Sequence, residues 1–309
     1  MIARLLLLLF LLLLALFAAG FVLVAVVCGR REIPDYWDET MLLTRGKGAR
    51  RDDVLHGKAW LEQQRLEPVE TESDDELKLC GVFLRQKKPK GTVLMFHGCR
   101  SSWKLDCSGY ARFFYEKGFQ LLMADERAHG ASGGRRCAYG VWERYDVRGW
   151  TNYLAMRFGD EHKIIVYGFG MGGAAALMAS SLELYGDVRG IVAEGAYTTP
   201  RDVLETYLER QLHFPCAPLL WLLNLFTELL EGFGLSDQSA ADAVRESGYP
   251  VLLLHGTEDA EVPIELARRI ARSGRTNVTF LPVEGGGHGT CHSAAPVQVE
   301  AALAEFMNH

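Results

Sequence analysis

The chain has 309 residues, 49% of them hydrophobic and 23% charged, enough apolar material for one large globular domain and too much for a disordered chain. A formal net charge of -6 with only short basic clusters, such as Lys87, Lys88 and Lys90, leaves no broad positive face, which excludes nucleic acid as a partner. Seven cysteines (28, 80, 99, 107, 137, 216 and 291) form no C-x-x-C pair, so neither a metal site nor a disulfide framework is expected.

The first predicted element is the run 5–28, 24 residues without a charge. At ~1.5 Å per residue it crosses a ~30 Å hydrocarbon core. A cleaved signal peptide needs an apolar region of only ~7 to 15 residues followed by a small-x-small site. Here leucine dominates and Ala25-Val26-Val27-Cys28 lacks the small residue that lipoprotein processing wants, so a single-pass, uncleaved anchor over 1–29 is expected. Arg4 alone precedes the run, whereas Arg30, Arg31, Arg45 and Lys47 follow it, a balance that places the following domain on the cytoplasmic side.

Residues 30–65 read as a juxtamembrane linker with a short helix near 54–64. From Leu66 onward, strand-sized apolar runs alternate with helix-sized segments. An antiparallel pair is expected at 67–72 and 77–85, then strands at 92–96, 120–124, 164–167, 190–193, 251–254 and 278–281. That rhythm is the signature of a mostly parallel sheet covered by helices on both faces. Residues 66–309 therefore form one α/β domain. Its one irregular insertion, about 199–248, contains Phe214, Pro215, Leu219, Leu220, Trp221, Leu222, Leu223, Leu225, Phe226, Leu229 and Leu230. This is more apolar than one buried stripe needs. Either it caps a site, lining an acyl pocket or touching lipid, or it is an ordinary core helix.

The strand ending near Tyr167 runs into Gly168-Phe169-Gly170-Met171-Gly172-Gly173 and then an alanine-rich helix. This strand, tight turn and helix is the context of a nucleophile elbow, G-x-S-x-G, with glycine where the serine belongs. Gly130-Ala131-Ser132-Gly133-Gly134 has the right letters but no strand before it and no helix after it, so Ser132 is not the nucleophile.

Taken together with Phe96-His97-Gly98, Asp125-Glu126-Arg127-Ala128-His129-Gly130, His255-Gly256-Thr257-Glu258-Asp259 and Gly285-Gly286-Gly287-His288-Gly289, these blocks resemble the α/β-hydrolase superfamily. In particular, the chain is similar to membrane-anchored, serine-aminopeptidase-like bacterial hydrolases, over roughly 66–308. The resemblance implies an α/β-hydrolase fold and a Ser-Asp-His mechanism with Gly170 at the nucleophile position, Asp259 as acid and His288 as base. It also implies backbone N–H groups of Cys99 and Met171 as the oxyanion hole. His97 and His129 then shape loops. Asp259 has a blander alternative as the cap of a helix near Pro263, and His288 as a satisfied loop residue. A Cys99 thiol substituting for the missing serine would have to point where relatives use only the N–H. The implied function is an esterase- or lipase-type acyl hydrolase, impaired as written, acting on a small acyl or lipid substrate at a membrane, without metal or cofactor. The alternative is a non-catalytic protein that binds such a compound.

Overall fold

A computed structural model describes residues 2–44, 47–212, 216–274 and 276–308; Arg45, Phe214 and Pro215 of the sequence reading lie outside these. Eight strands form one sheet in the order β1-β2-β4-β3-β5-β6-β7-β8. They are β1 (Leu66–Glu72), β2 (Lys78–Leu84), β3 (Thr92–Phe96), β4 (Gln120–Ala124), β5 (Lys163–Phe169), β6 (Asp187–Glu194), β7 (Val251–Gly256) and β8 (Val278–Val283). β1 and β2 are antiparallel to each other, β2 is antiparallel to β4, and the remaining pairs are parallel.

All five residues of β3 are buried, as expected of a central parallel strand covered on both faces. Its side chains alternate between two cores. Leu94 and Phe96 face one cluster, Val93 and Met95 the other. The first cluster includes side chains of α6 (Glu143–Phe158), α7 (Met171–Ala179), α10 (Ala240–Glu246) and α11 (Ile264–Ser273). The second includes those of α3 (Arg51–Leu61), α5 (Ser108–Glu116) and α13 (Pro296–Phe306). The result is a three-layer α/β-hydrolase fold with a mostly parallel sheet. Two short helices, α4 (Trp103–Asp106) and α12 (Cys291–Ala294), lie in loops at the carboxyl ends of the strands, and α2 (Glu39–Thr44) lies in the segment before α3.

The insertion between β6 and β7 carries α8 (Pro200–Leu212), α9 (Ala217–Glu231) and α10. α9 starts with proline in its first turn and stops at Gly232, whose φ of 71° forms a left-handed cap that closes on Glu228 and Thr227 carbonyls. The apolar run at the N-terminus is one helix, α1 (Ile2–Cys28), exposed over most of its length but buried at Gly20, Val24, Val27 and Cys28. Val24, Val27 and Cys28 belong to the same core cluster as Leu220, Leu223 and Phe226 of α9, and the Phe226 ring lies against Gly20. Just beyond α1, Gly29 bridges Arg136 as a short antiparallel pair, and the Cys137 N–H donates to the Cys28 carbonyl at 2.8 Å.

Candidate active site

The site is assembled at the carboxyl ends of β3, β5, β6, β7 and β8, where an open α/β sheet leaves a crevice. Gly168 and Gly172 have no room for a side chain. A Cβ at Gly168 would lie 2.3 Å from the Gly172 carbonyl oxygen, and one at Gly172 would lie 2.7 Å from the His97 carbonyl oxygen. These contacts let α7 leave β5 through a turn without spare residues, and the Gly172 N–H donates to the His97 carbonyl at 3.1 Å. The apex is Gly170, with φ 54° and ψ -113°, pinned by its N–H donating to the Glu194 carbonyl at 2.8 Å. The same backbone would strain any residue with a side chain. A Cβ at Gly170 has room, however: its nearest neighbours would be Gly98 Cα at 3.6 Å and His288 Nε2 at 3.9 Å.

His288 sits in the glycine-rich loop after β8, its ring centroid 4.7 Å from that of Phe169. Its Nδ1 donates to Asp259 Oδ2 at 2.8 Å, which leaves Nε2, on the Gly170 side, free to accept a proton. The other carboxylate oxygen, Oδ1, accepts from the Glu261 and Val262 N–H groups at 2.9 and 2.8 Å. One carboxylate therefore holds the turn before α11 with one oxygen and the imidazole with the other. Burial pushes the Asp259 carboxyl upward, but the His288 hydrogen bond and charge, the Val262 amide and His255 outweigh it and hold it below the usual carboxylate value. His255, fully buried on β7, donates from Nε2 to the Val262 carbonyl at 2.8 Å and lies 3.5 Å from Asp259 Oδ2. The exposed Glu261 carboxylate stands at the mouth, 3.9 Å from His288 Nε2 and 3.3 Å from Lys47 Nζ.

Across the crevice, the Gly98 N–H donates to Asp106 Oδ2 at 2.7 Å, while Asp106 Oδ1 pairs with Arg50 Nη1 at 2.5 Å. Arg50 also donates to the Leu105 carbonyl at 2.9 Å and places its guanidinium 5.0 Å over the Phe169 ring. A buried ion pair from the segment read as a linker thus holds the loop that follows β3. Neither Arg50 nor Asp106 carries a local motif, and the pair is separated by 56 positions. Among the described residues, the Cys99 and Met171 N–H groups have no protein acceptor. Met171 is the first residue of α7, where helix N–H groups point outward and the helix dipole favours negative charge.

The remaining candidates are tied into the framework. His97 is buried, accepts from the Glu126 N–H at 3.0 Å and bonds the Gly98 carbonyl at 2.8 Å. Burial and the nearby His129 lower its pKa to about 3, so it stays neutral. His129 accepts from the Arg100 N–H at 2.9 Å and bonds the Arg127 carbonyl at 2.8 Å. Ser132 Oγ is buried, accepting from the Cys80 N–H at 2.8 Å and donating to the Asp125 carbonyl at 2.7 Å. Its oxygen is therefore occupied as a tie between β2 and the loop after β4. Cys99 Sγ turns towards Cys137 Sγ, 3.9 Å away. Sequence reasoning passed over Glu126, which is buried with neither carboxylate oxygen partnered among the described residues. Burial, followed by Glu143 and Asp146, raises its pKa well above the usual value.

Comparison with known proteins identifies the family. Residues 87–240 match the serine aminopeptidase, S33 family and residues 234–309 match the family described as TAP-like protein. An uncharacterised protein of Bacillus subtilis, YqkD, is 23% identical over 74% of this chain and 75% of its own length. The AB hydrolase superfamily protein YisY of the same bacterium is 23% identical over 70% of this chain and 91% of its own. Among solved structures, an esterase of Pyrococcus furiosus superposes with a TM-score of 0.67 at 20% identity, covering 91% of this chain and 97% of that one. The structure of DcsB in complex with its substrate analogue superposes with a TM-score of 0.63 at 17% identity, covering 79% and 98%. The chain belongs to the α/β-hydrolase superfamily.

Proposed function

We propose that the crevice is an esterase-type acyl-hydrolase site whose acid–base pair is intact and whose nucleophile position, Gly170, carries no oxygen. The observation that supports this reading is the 3.9 Å between His288 Nε2 and the point where a Cβ at Gly170 would stand. A serine hydroxyl one bond further out falls within hydrogen-bond reach of that nitrogen.

In the serine-bearing arrangement, the hydroxyl oxygen attacks the acyl carbonyl carbon as its proton passes to His288 Nε2. Asp259 stabilises the resulting imidazolium, and the Met171 and Cys99 N–H groups stabilise the oxyanion. The leaving group takes the proton from His288, and water activated by the same nitrogen releases the acyl group. Without the serine, the oxyanion hole and binding alone give roughly 10³- to 10⁴-fold over water. The alternative, a site that binds an acyl compound without turning it over, is favoured by the missing oxygen itself.

α1 has the length and composition to cross a bilayer, and we read it as a single-pass anchor with the basic flank and the domain on the cytoplasmic side. The small acyl or lipid substrate then approaches at the membrane, beneath the α8–α10 insertion acting as a cap.

The test uses the full chain in detergent micelles. The unchanged protein is expected to hydrolyse p-nitrophenyl acetate negligibly, and Gly170→Ser to raise the rate at least ~10²-fold and confer labelling by a fluorophosphonate. Adding His288→Ala should remove the gain. A folded Gly170→Ser protein that stays inert and unlabelled would leave the binding protein as the correct reading. A fast, fluorophosphonate-sensitive unchanged protein would show that the nucleophile lies elsewhere.

A further inference from the structure

Three of the largest exposed apolar side chains outside α1 lie on α9: Trp221 at 65%, Leu225 at 42% and Leu229 at 63%. Spaced four residues apart, they form a single stripe on the outward face, extended at its start by exposed Pro218. A soluble surface rarely presents such a stripe without an occupant. α9 is also the helix against which α1 packs. The Phe226 ring meets Phe17 edge-on at 5.4 Å, and it fills the space that a Cβ at Gly20 would need, within 2.2 Å.

The length of α1 fixes how deep that contact lies. Between the last charge, Arg4, and Phe17, whose ring touches α9, there are only the twelve residues 5–16. They span ~18 Å, against a hydrocarbon core of ~30 Å. The hydrocarbon must therefore rise past Phe17 and Gly20, the level at which Phe226 of α9 sits. At ~100° per residue, the surface of α9 runs from Phe226 through Leu222, Leu229, Leu225 and Trp221 before it reaches Glu228 and Asn224. Those last two are hydrogen-bonded to each other at 2.6 Å and form the polar edge away from α1. The stripe thus begins beside the anchor and ends at a polar rim. Basic groups ring the same end of α1: the Arg136 guanidinium lies 5.6 Å over the Phe21 ring, and Arg100 donates to the Val26 carbonyl at 2.7 Å. Arginines and a tryptophan at this depth suit the headgroup boundary.

From this juxtaposition we infer that the outward face of α9 docks on the bilayer that holds α1, with Trp221, Leu225 and Leu229 in the headgroup–acyl boundary. The inference rests on reading α1 as an uncleaved span. It gives the cap a fixed occupant, lipid, and places the insertion where an acyl-bearing compound could reach the crevice from the bilayer.

The test reconstitutes the full chain in phosphatidylcholine vesicles with and without lipid brominated near the top of its acyl chains. Six tryptophans are present, so the difference between the unchanged protein and Trp221→Phe isolates one indole. Bromolipid is expected to quench roughly half or more of that difference, as for an indole at the boundary depth. Carbonate extraction and intact mass on the same vesicles report α1 separately. Retention with quenching supports docking. Retention without quenching overturns it while leaving the anchor in place, and zero-length cross-linking between copies in that case assigns the stripe to a second copy of the chain. Extraction with loss of the N-terminal segment overturns both the anchor and the docking built on it.

Discussion

At Gly170, function and stability are opposed. With φ at 54°, glycine holds the apex without the strain that a β-carbon brings. Gly170→Ser, even as it gains activity, is expected to lose ~1–3 kcal/mol of stability, read as a lower urea midpoint at unchanged slope. Arg50 poses the reverse case. Its side chain and that of Asp106 are 10% and 0% exposed, and removing one partner strands the other charge. Arg50→Leu should cost ~3–5 kcal/mol in the same titration, far more than a surface pair would. The two residues also differ in legibility. Gly170, Asp259 and His288 stand in blocks whose glycine spacing reports the turns around them. Arg50 does not, because its partner Asp106 lies 56 positions away and only the folded chain brings the two together.

The strands show the same division at the scale of elements. Short apolar runs marked β3 and β4 at their observed limits, 92–96 and 120–124. β5 runs on to Phe169 and β6 starts early, at Asp187, because pairing between the two carries the ladder through Gly168 and Asp187, which disfavour strands, with a register shift between Ile164 and Ile165. Least legible was the segment 30–52, whose polar composition hid α2 and the turn that delivers Arg50. α12 was equally silent. It is held by His292, which bonds Asp53 of α3 at 3.3 Å and Glu300 of α13 at 3.2 Å. The Asp53 hydrogen bond, set against burial and aided by Glu300, raises the imidazole pKa to about 8. A raised pKa stabilises the fold fully below the unfolded value near 6.5 and loses that contribution as pH climbs through about 8. The difference in unfolding free energy between the unchanged protein and His292→Gln should thus be about 2 kcal/mol near pH 6 and close to nothing by pH 9.

For the whole molecule, the alternation of runs from Leu66 onward was enough to read the sheet and its helical cover, because a parallel sheet buries both faces and writes itself as unbroken apolar segments. The packing of α1 against the domain could not be read, since a leucine-rich helix looks the same whether its last turns touch lipid or protein. That packing leaves no hinge. Gly29 pairs with Arg136, the Arg30 N–H donates to the Arg135 carbonyl at 2.8 Å, and the Arg30 guanidinium bonds the Ser132 and Gly130 carbonyls. A helix joined in this way to its domain turns the domain whenever it tilts. On the proposed reading of α1 as a span, hydrophobic mismatch sets that tilt, so a thin bilayer should lean the domain over and a thick one should stand it upright. Energy transfer from a dye on the domain to a labelled bilayer surface would change with acyl-chain length. A freely tethered domain would give the same signal in every lipid.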